Sequence, residues 1–237
     1  MFESGSKTRS GLLIWMSHPC WPSMVWQTYD YYLDPTAAYF GVKKGCEPLH
    51  IQWNVLTDSI EVVNLFAGNH AGLTATATLY DVATGKRIVA KSARLTSGDD
   101  TTQPVLGRPQ TNGQCALLRL QLKDKNAVLS TNDYFIEDRD GSYAAIAKLP
   151  EPTLTKQFKV LSEGEIITAE LTLTNTGKTI APFLRLNLKG EDGEQMLPVV
   201  YSDNYFTLMP GERRTVTVSW KREDSRGQQP VIEVTSL

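Results

Sequence analysis

Ser17 and His18 stand where an apolar run, Leu12-Leu13-Ile14-Trp15-Met16, gives way to Ser17-His18-Pro19-Cys20-Trp21-Pro22. A hydroxyl beside an imidazole can donate to and accept from a polar ligand. Three of the five tryptophans, Trp15, Trp21 and Trp26, surround the pair with flat apolar faces. A short uninterrupted apolar run reads as a strand buried on both faces, as in a parallel sheet. Pro19 and Pro22 forbid its continuation. The polar pair then lies at the carboxyl end of a strand, the edge at which α/β folds keep their sites. The segments Val25 to Tyr32 and Thr36 to Lys44 carry Trp26, Tyr29, Tyr32, Tyr39 and Phe40 in a pattern compatible with helices, interrupted at Asp34-Pro35. One strand and one helix cannot bury themselves, so this stretch needs further elements around it.

No other set of residues points to chemistry. Cys20, Cys46 and Cys115 are odd in number and widely spaced, which fits neither a CxxC metal pair nor a disulfide framework. His18, His50 and His70 are equally scattered, with no HExxH and no second carboxylate at ligand spacing, so no metal and no cofactor is expected. A formal charge of −2 with 41% hydrophobic and 21% charged residues gives no basic field for nucleic acid or an anionic membrane. No apolar run reaches the roughly 20 residues of a membrane span. Met1 to Ser10 also lacks the apolar core of a signal peptide.

From Leu49 onward the texture is short alternating runs separated by turn residues, the pattern of an all-β chain. Leu49 to Leu56, Ser59 to Phe66, Leu73 to Tyr80, Lys86 to Thr96, Cys115 to Leu122 and Ala127 to Ile136 read as strands, with Ser97 to Gly113 a polar connection. In Leu73 to Tyr80, the residues Leu73, Ala75, Ala77 and Leu79 share one face and the threonines the other. Pro150-Glu151-Pro152 punctuates the chain as a linker. Beyond it Thr155 to Leu161, Glu165 to Thr174, Phe183 to Leu188, Pro198 to Tyr201, Thr215 to Trp220 and Pro230 to Val234 repeat the texture. Ile167, Ala169, Leu171 and Leu173 face one way, as do Val216, Val218 and Trp220. That density of strands predicts two immunoglobulin-like sandwiches in tandem.

Two stretches carry a family resemblance. The ordered residues Gly11-Leu12-Leu13-Ile14-Trp15-Met16, Trp21-Pro22-Ser23, Trp26-Gln27, Tyr29-Asp30-Tyr31-Tyr32 and Ala38-Tyr39-Phe40-Gly41 resemble the last strand-loop-helix unit of the catalytic (β/α)8 barrel of glycoside hydrolase family 2, in its β-mannosidase and exo-β-glucosaminidase branch. Near the other end, Asp203-Asn204-Tyr205-Phe206 followed by Leu208-Met209-Pro210-Gly211-Glu212 resembles the signature of the last immunoglobulin-like domain of the same branch, with a Tyr-Phe pair under the sheet and a turn at Pro-Gly.

The resemblance implies residues 1–48 as a barrel remnant (the end of helix 7, strand 8 and helix 8), followed by sandwiches at 49–149 and 150–237. Most of a barrel would then lie upstream of Met1, and the chain reads as the carboxyl-terminal piece of a larger retaining exo-β-glycosidase. Such enzymes use two carboxyl groups about 5 to 5.5 Å apart, one as acid/base and one as nucleophile. In the family these end the fourth and seventh barrel strands, so none of Glu3, Asp30, Asp34 and Glu47 matches a catalytic position and the chain alone is expected to be inactive.

Trp15, Ser17 and His18 are the implied substrate-binding residues, since the C–H face of a sugar stacks on indole; core packing is the alternative for Trp15 and a structural role for His18. Ser17 to Cys20 stand where the family often has an Asn-Asp pair, which leaves the sugar's identity open. Trp21 and Trp26 are implied to pack between barrel and sandwich. A non-proline cis peptide at Trp15–Met16 is also implied.

The partners follow: a β-linked carbohydrate through the full-length enzyme, and the upstream barrel itself. Without that barrel, Leu12 to Met16 should leave an apolar patch that packs on the first sandwich, self-associates or is poorly ordered. The rival reading is a stand-alone carbohydrate-binding or adhesion module. It would call for a row of exposed aromatics on a sandwich face, where these sandwiches are aromatic-poor.

Overall fold

The computed structural model describes residues 8, 11–23 and 26–236. The helix tail expected in residues 1–9, with Glu3, falls outside these apart from Thr8. The described residues are mainly β, with fourteen strands in four antiparallel sheets. They divide into two compact units, one built on Lys44–Lys148 with Leu13 and the described residues before it, the other on Ile14–Lys43 with Leu149 onward.

The first unit holds β1 (Leu49–Asn54), β2 (Ser59–Asn64), β3 (His70–Asp81), β4 (Arg87–Ser97), β5 (Thr101–Gly107), β6 (Ala116–Asp124) and β7 (Ala127–Ile136). Its sheets run β1-β2-β5 and β4-β3-β6-β7. Leu73, Ala75, Ala77 and Leu79 of β3 are wholly buried, and they meet Ile51, Ile60 and Val62 from the other sheet in one core. The alternation read from the sequence is therefore the inward face of the strand. Each such leucine or isoleucine contributes about 1.5 to 3 kcal/mol by leaving water. The charge buried on β6, Arg119, is held across the ladder by both oxygens of Asp133 at 2.8 Å, which offsets its desolvation.

The second unit holds α1 (Ala37–Gly45, the last two residues lying in the first unit), β8 (Leu154–Glu163), β9 (Ile166–Asn175), β10 (Ala181–Gly190), β11 (Val199–Tyr201), β12 (Phe206–Leu208), β13 (Arg213–Lys221) and β14 (Pro230–Thr235). Sheets β11-β13-β9-β8 and β12-β10-β14 enclose one core, to which β9 gives Ala169, Leu171 and Leu173 and β13 gives Val216, Val218 and Trp220. Met209-Pro210-Gly211-Glu212 closes a turn in which the Glu212 amide donates to the Met209 carbonyl at 2.9 Å and Gly211 takes φ 77°, a backbone state that costs glycine nothing.

Four expectations are corrected. Leu12 to Met16 is not a strand and is not buried: Leu13 is 99% exposed and Trp15 85%. A parallel strand exists only through neighbours that take its backbone hydrogen bonds, and among the described residues none lies beside it. No strand of the expected barrel unit is formed among the described residues, and the helix expected over Thr36 to Lys44 is present as α1. The Trp15–Met16 peptide is not cis; among the described residues only Leu197–Pro198 is. Of the helix expected from Val25 to Tyr32, the described residues 26–32 form turns instead, for reasons that Asp30 supplies below. Finally, Ser97 to Gly113 is not all connection, because it contains β5, an edge strand that tolerates Pro104 where a central strand would not.

Candidate functional site

The residues singled out by type lie on the segment Ile14–Lys43, which belongs to the second unit. Its shape follows from a few polar groups. Asp30 Oδ1 accepts from the amides of Tyr32 at 2.8 Å and Asp34 at 2.9 Å, a local hydrogen-bonding pattern that competes with helix. Leu33 takes φ 66° inside this turn, and Tyr29 bridges Pro35 on its far side. The Thr36 hydroxyl donates to the Gln27 carbonyl at 2.7 Å, locking the entry to α1. Ser17 joins the assembly through its backbone: its carbonyl accepts from the Tyr29 amide and from the Thr28 hydroxyl, both at 3.0 Å.

Two sets of contacts tie this segment to the sheet of β10. One is aromatic: Tyr29 to Tyr39 at 5.2 Å between ring centroids, Tyr39 edge-on to Phe40 at 5.0 Å, and Phe40 to Tyr205 at 5.9 Å. The other is polar. Asp34 Oδ2 accepts from Arg185 Nη2 at 2.6 Å and from Gln195 Nε2 at 3.2 Å, and Gln195 also donates to Asn187 Oδ1 at 2.8 Å. At the far end Lys43 Nζ donates to the Ser202 carbonyl at 2.7 Å.

Burial pushes the Asp34 carboxyl up from its ordinary value, against the pull of the Arg185 guanidinium and the hydrogen bonds from Arg185 and Gln195; the neighbouring Asp30 adds to the rise. The folded protein thus holds this proton to higher pH than the unfolded chain. Its contribution to stability falls as pH climbs from the unfolded aspartate value, about 3.9, through the folded one. Asp34→Asn, with no proton to lose and an acceptor kept for both donors, is expected to lack that slope. Urea midpoints of the two proteins compared from low to neutral pH, with the difference curve isolating Asp34, check it.

The sequence signature at Asp203-Asn204-Tyr205-Phe206 has a definite structural use. β12 pairs with β10 only at Ala181 and Leu184, so the edge of β10 beyond that point lacks a strand. Side chains replace it: Asn204 Oδ1 accepts from the Leu186 amide at 2.7 Å, its Nδ2 donates to the Leu186 carbonyl at 3.0 Å, and the Tyr201 hydroxyl accepts from the Leu188 amide at 2.9 Å. Arg214 pairs with Asp203 at 2.8 Å while stacking over the Phe206 ring at 4.7 Å.

Of the expected substrate residues, Ser17 and His18 are brought against Thr28 to Tyr31, with His18 Nε2 3.4 Å from the Tyr31 carbonyl, and both side chains face solvent. The Trp15, Trp21 and Trp26 side chains are exposed, at 67% for Trp21 and 70% for Trp26, so they pack in neither core. The acidic residues are committed elsewhere. Asp30 and Asp34 hold the turn, and Glu47 takes Lys44 at 2.7 Å and the Ser130 hydroxyl at 3.1 Å. Among the described residues no group of histidine, cysteine and carboxylate side chains could hold a metal, and no helix is long and apolar enough to cross a membrane. Arg185 and Gln195 carry no signal in the sequence, and the aromatics Tyr29, Tyr39, Phe40 and Tyr205 stand out there without their mutual contacts. An arginine on the outward face of Phe183-Leu184-Arg185-Leu186 looks like any solvated strand residue, whereas the Asn204 signature did mark its own neighbourhood.

The fold and this anchored segment have close counterparts. Residues 133–237 match the exo-β-D-glucosaminidase Ig-fold domain. Over 97% of its length the chain is 30% identical to an exo-β-D-glucosaminidase of Streptomyces avermitilis, and over 94% it is 26% identical to a β-mannosidase B of Thermothelomyces thermophilus. It superposes over 99% of its length on the crystal structure of the Amycolatopsis orientalis exo-chitosanase, with a TM-score of 0.86 at 27% identity. The chain spans 28%, 27% and 32% of these three proteins respectively. Its homologues are thus the exo-β-D-glucosaminidases and β-mannosidases, enzymes of glycoside hydrolase family 2, and the chain corresponds to a portion of those larger proteins.

Proposed function

We propose that this chain is the carboxyl-terminal accessory region of a retaining exo-β-glycosidase that hydrolyses β-glucosaminides or β-mannosides. In this reading residues 1–48 complete a catalytic (β/α)8 barrel supplied by the rest of the enzyme, and residues 49–149 and 150–237 are immunoglobulin-like sandwiches that support it. Trp15, Ser17 and His18 line the sugar subsite, and Trp21 and Trp26 pack against the barrel. The observation that carries the reading is the match of nearly the whole chain, in sequence and in fold, to one portion of exo-β-glucosaminidases. The exposure of an uncharged, tryptophan-rich stretch supports it, because a monomer seldom leaves such surface uncovered.

Hydrolysis with retention needs two carboxyl groups about 5 to 5.5 Å apart. The acidic side chains described among residues 1–48, Asp30, Asp34 and Glu47, are held by backbone amides, Arg185, Gln195, Lys44 and Ser130. The purified chain is therefore expected to release no aryl alcohol from an aryl β-glucosaminide or β-mannoside above the uncatalysed rate. Turnover that co-purifies with the chain and saturates with substrate would contradict its accessory role.

A further inference from the structure

We propose that Arg185, on β10 of the second unit, is a positioning residue for the Ser17–Pro22 turn. In the turn itself Trp21 is 67% exposed and Pro19 is buried, and among the described residues every hydrogen bond that holds it runs to Thr28–Tyr31: the Ser17 carbonyl is bound by Tyr29 and Thr28, and His18 Nε2 lies 3.4 Å from the Tyr31 carbonyl. Tyr29 is placed in turn by the Asp30–Asp34 loop, whose ends are joined by the Asp30 amide donating to the Asp34 carbonyl at 3.0 Å. That loop meets the sheet through Asp34, whose side chain is 11% exposed, and the shortest bond there is the one to Arg185. A carboxylate so enclosed cannot turn to water when its guanidinium is removed, so the loop must shift or the carboxyl must take up a proton. The second route, Tyr29-Tyr39-Phe40-Tyr205, passes through tilted and edge-on ring contacts by way of α1, whereas the ion pair holds the Asp30–Asp34 loop directly. Orientation of the turn is thus set by a residue of the sandwich, far along the chain from the turn it aims.

The meaning of this for catalysis rests on the reading above, in which Ser17 and His18 face the sugar. The anchoring itself does not, and its test needs no activity. Amide hydrogen exchange is followed by mass spectrometry on the whole chain and on its Arg185→Met and Asp34→Asn variants. In R185M the amides of residues 27–36 are expected to exchange about tenfold faster while those of β9 and β13 keep their protection. In D34N, which retains an acceptor for Arg185 and Gln195, exchange over 27–36 stays near that of the unmodified chain. Unchanged exchange over 27–36 in R185M overturns the proposal, and so does a uniform rise that includes β9 and β13, which would mark Arg185 as a general stabiliser. Arg185→Gln, which keeps a polar head on β10 without the ion pair, is judged by the same two criteria if R185M fails to fold. Hydrolysis by the isolated chain would defeat the accessory reading and leave this result untouched.

Discussion

Asn204→Ala is expected to destabilise the second unit by about 3 to 5 kcal/mol, since each buried polar group left without a partner costs about 1 to 3 kcal/mol. Asn204 is 3% exposed, and its amide serves the Leu186 N–H and C=O and the Tyr205 N–H together. Alanine leaves the two buried Leu186 groups without this partner, and the half-buried Tyr205 amide as well. Against a typical domain stability of about 5 to 15 kcal/mol, the loss brings the unit close to unfolding at ambient temperature. Equilibrium urea unfolding followed by far-ultraviolet circular dichroism reads the change. A loss below about 1 kcal/mol would mean that β10 recruits another partner at Leu186, and that the side-chain edge described above is dispensable.

Trp220→Ala ranks beside it. Trp220 is 2% exposed on β13, and its indole N–H donates to the buried Ser225 hydroxyl at 2.9 Å. Truncating a buried tryptophan to alanine costs about 3 to 5 kcal/mol in transfer and cavity terms, and the orphaned serine adds to it. Trp220→Phe separates the contributions: it keeps most of the apolar volume, loses the hydrogen bond, and should cost about 1 to 2 kcal/mol. Thermal unfolding of the three proteins gives the order. Equal losses for alanine and phenylalanine would place the whole effect in the Ser225 bond and none in packing.

The strands were legible where one face is apolar and the other polar. β3, β9 and β13 alternate over most of their length, and the apolar residues they turn inward are those the period of two selects. The alternation is a local consequence of burial, so it survives in the sequence. Edges were harder. β5 contains Pro104 and two threonines, and its place in the sheet depends on pairing with β2, which no local pattern encodes. The apolar run Leu12 to Met16 failed for the converse reason: its composition suits a buried strand, but a strand needs partners and the described residues provide none. Asp30 turned an expected helix into a loop through two side-chain hydrogen bonds, a competition that any aspartate in a periodic segment can win.

The candidate site divides in the same way. The residue types at Trp15 to Trp26 and at Asp203 to Glu212 stand out in sequence because both are runs of uncommon residues in a fixed order. The Asp34–Arg185 pair that links them joins two ordinary charges separated by most of the chain, and only the folded sheet brings them to 2.6 Å.

The distribution of the five tryptophans has a spectroscopic consequence. Trp15, Trp21 and Trp26 are in water, Trp53 is half-buried with its N–H on Asp58 and Arg108 over its ring, and Trp220 is enclosed. The emission of the folded protein is therefore weighted toward long wavelengths already, and an aqueous quencher such as iodide reaches a majority of the indoles without any unfolding. Loss of the core moves one enclosed fluorophore, whereas a molecule that covered the Trp15 to Trp26 stretch would shift three to the blue at once. Tryptophan emission from this chain reports the occupancy of its uncovered loop far better than it reports the integrity of its sandwiches.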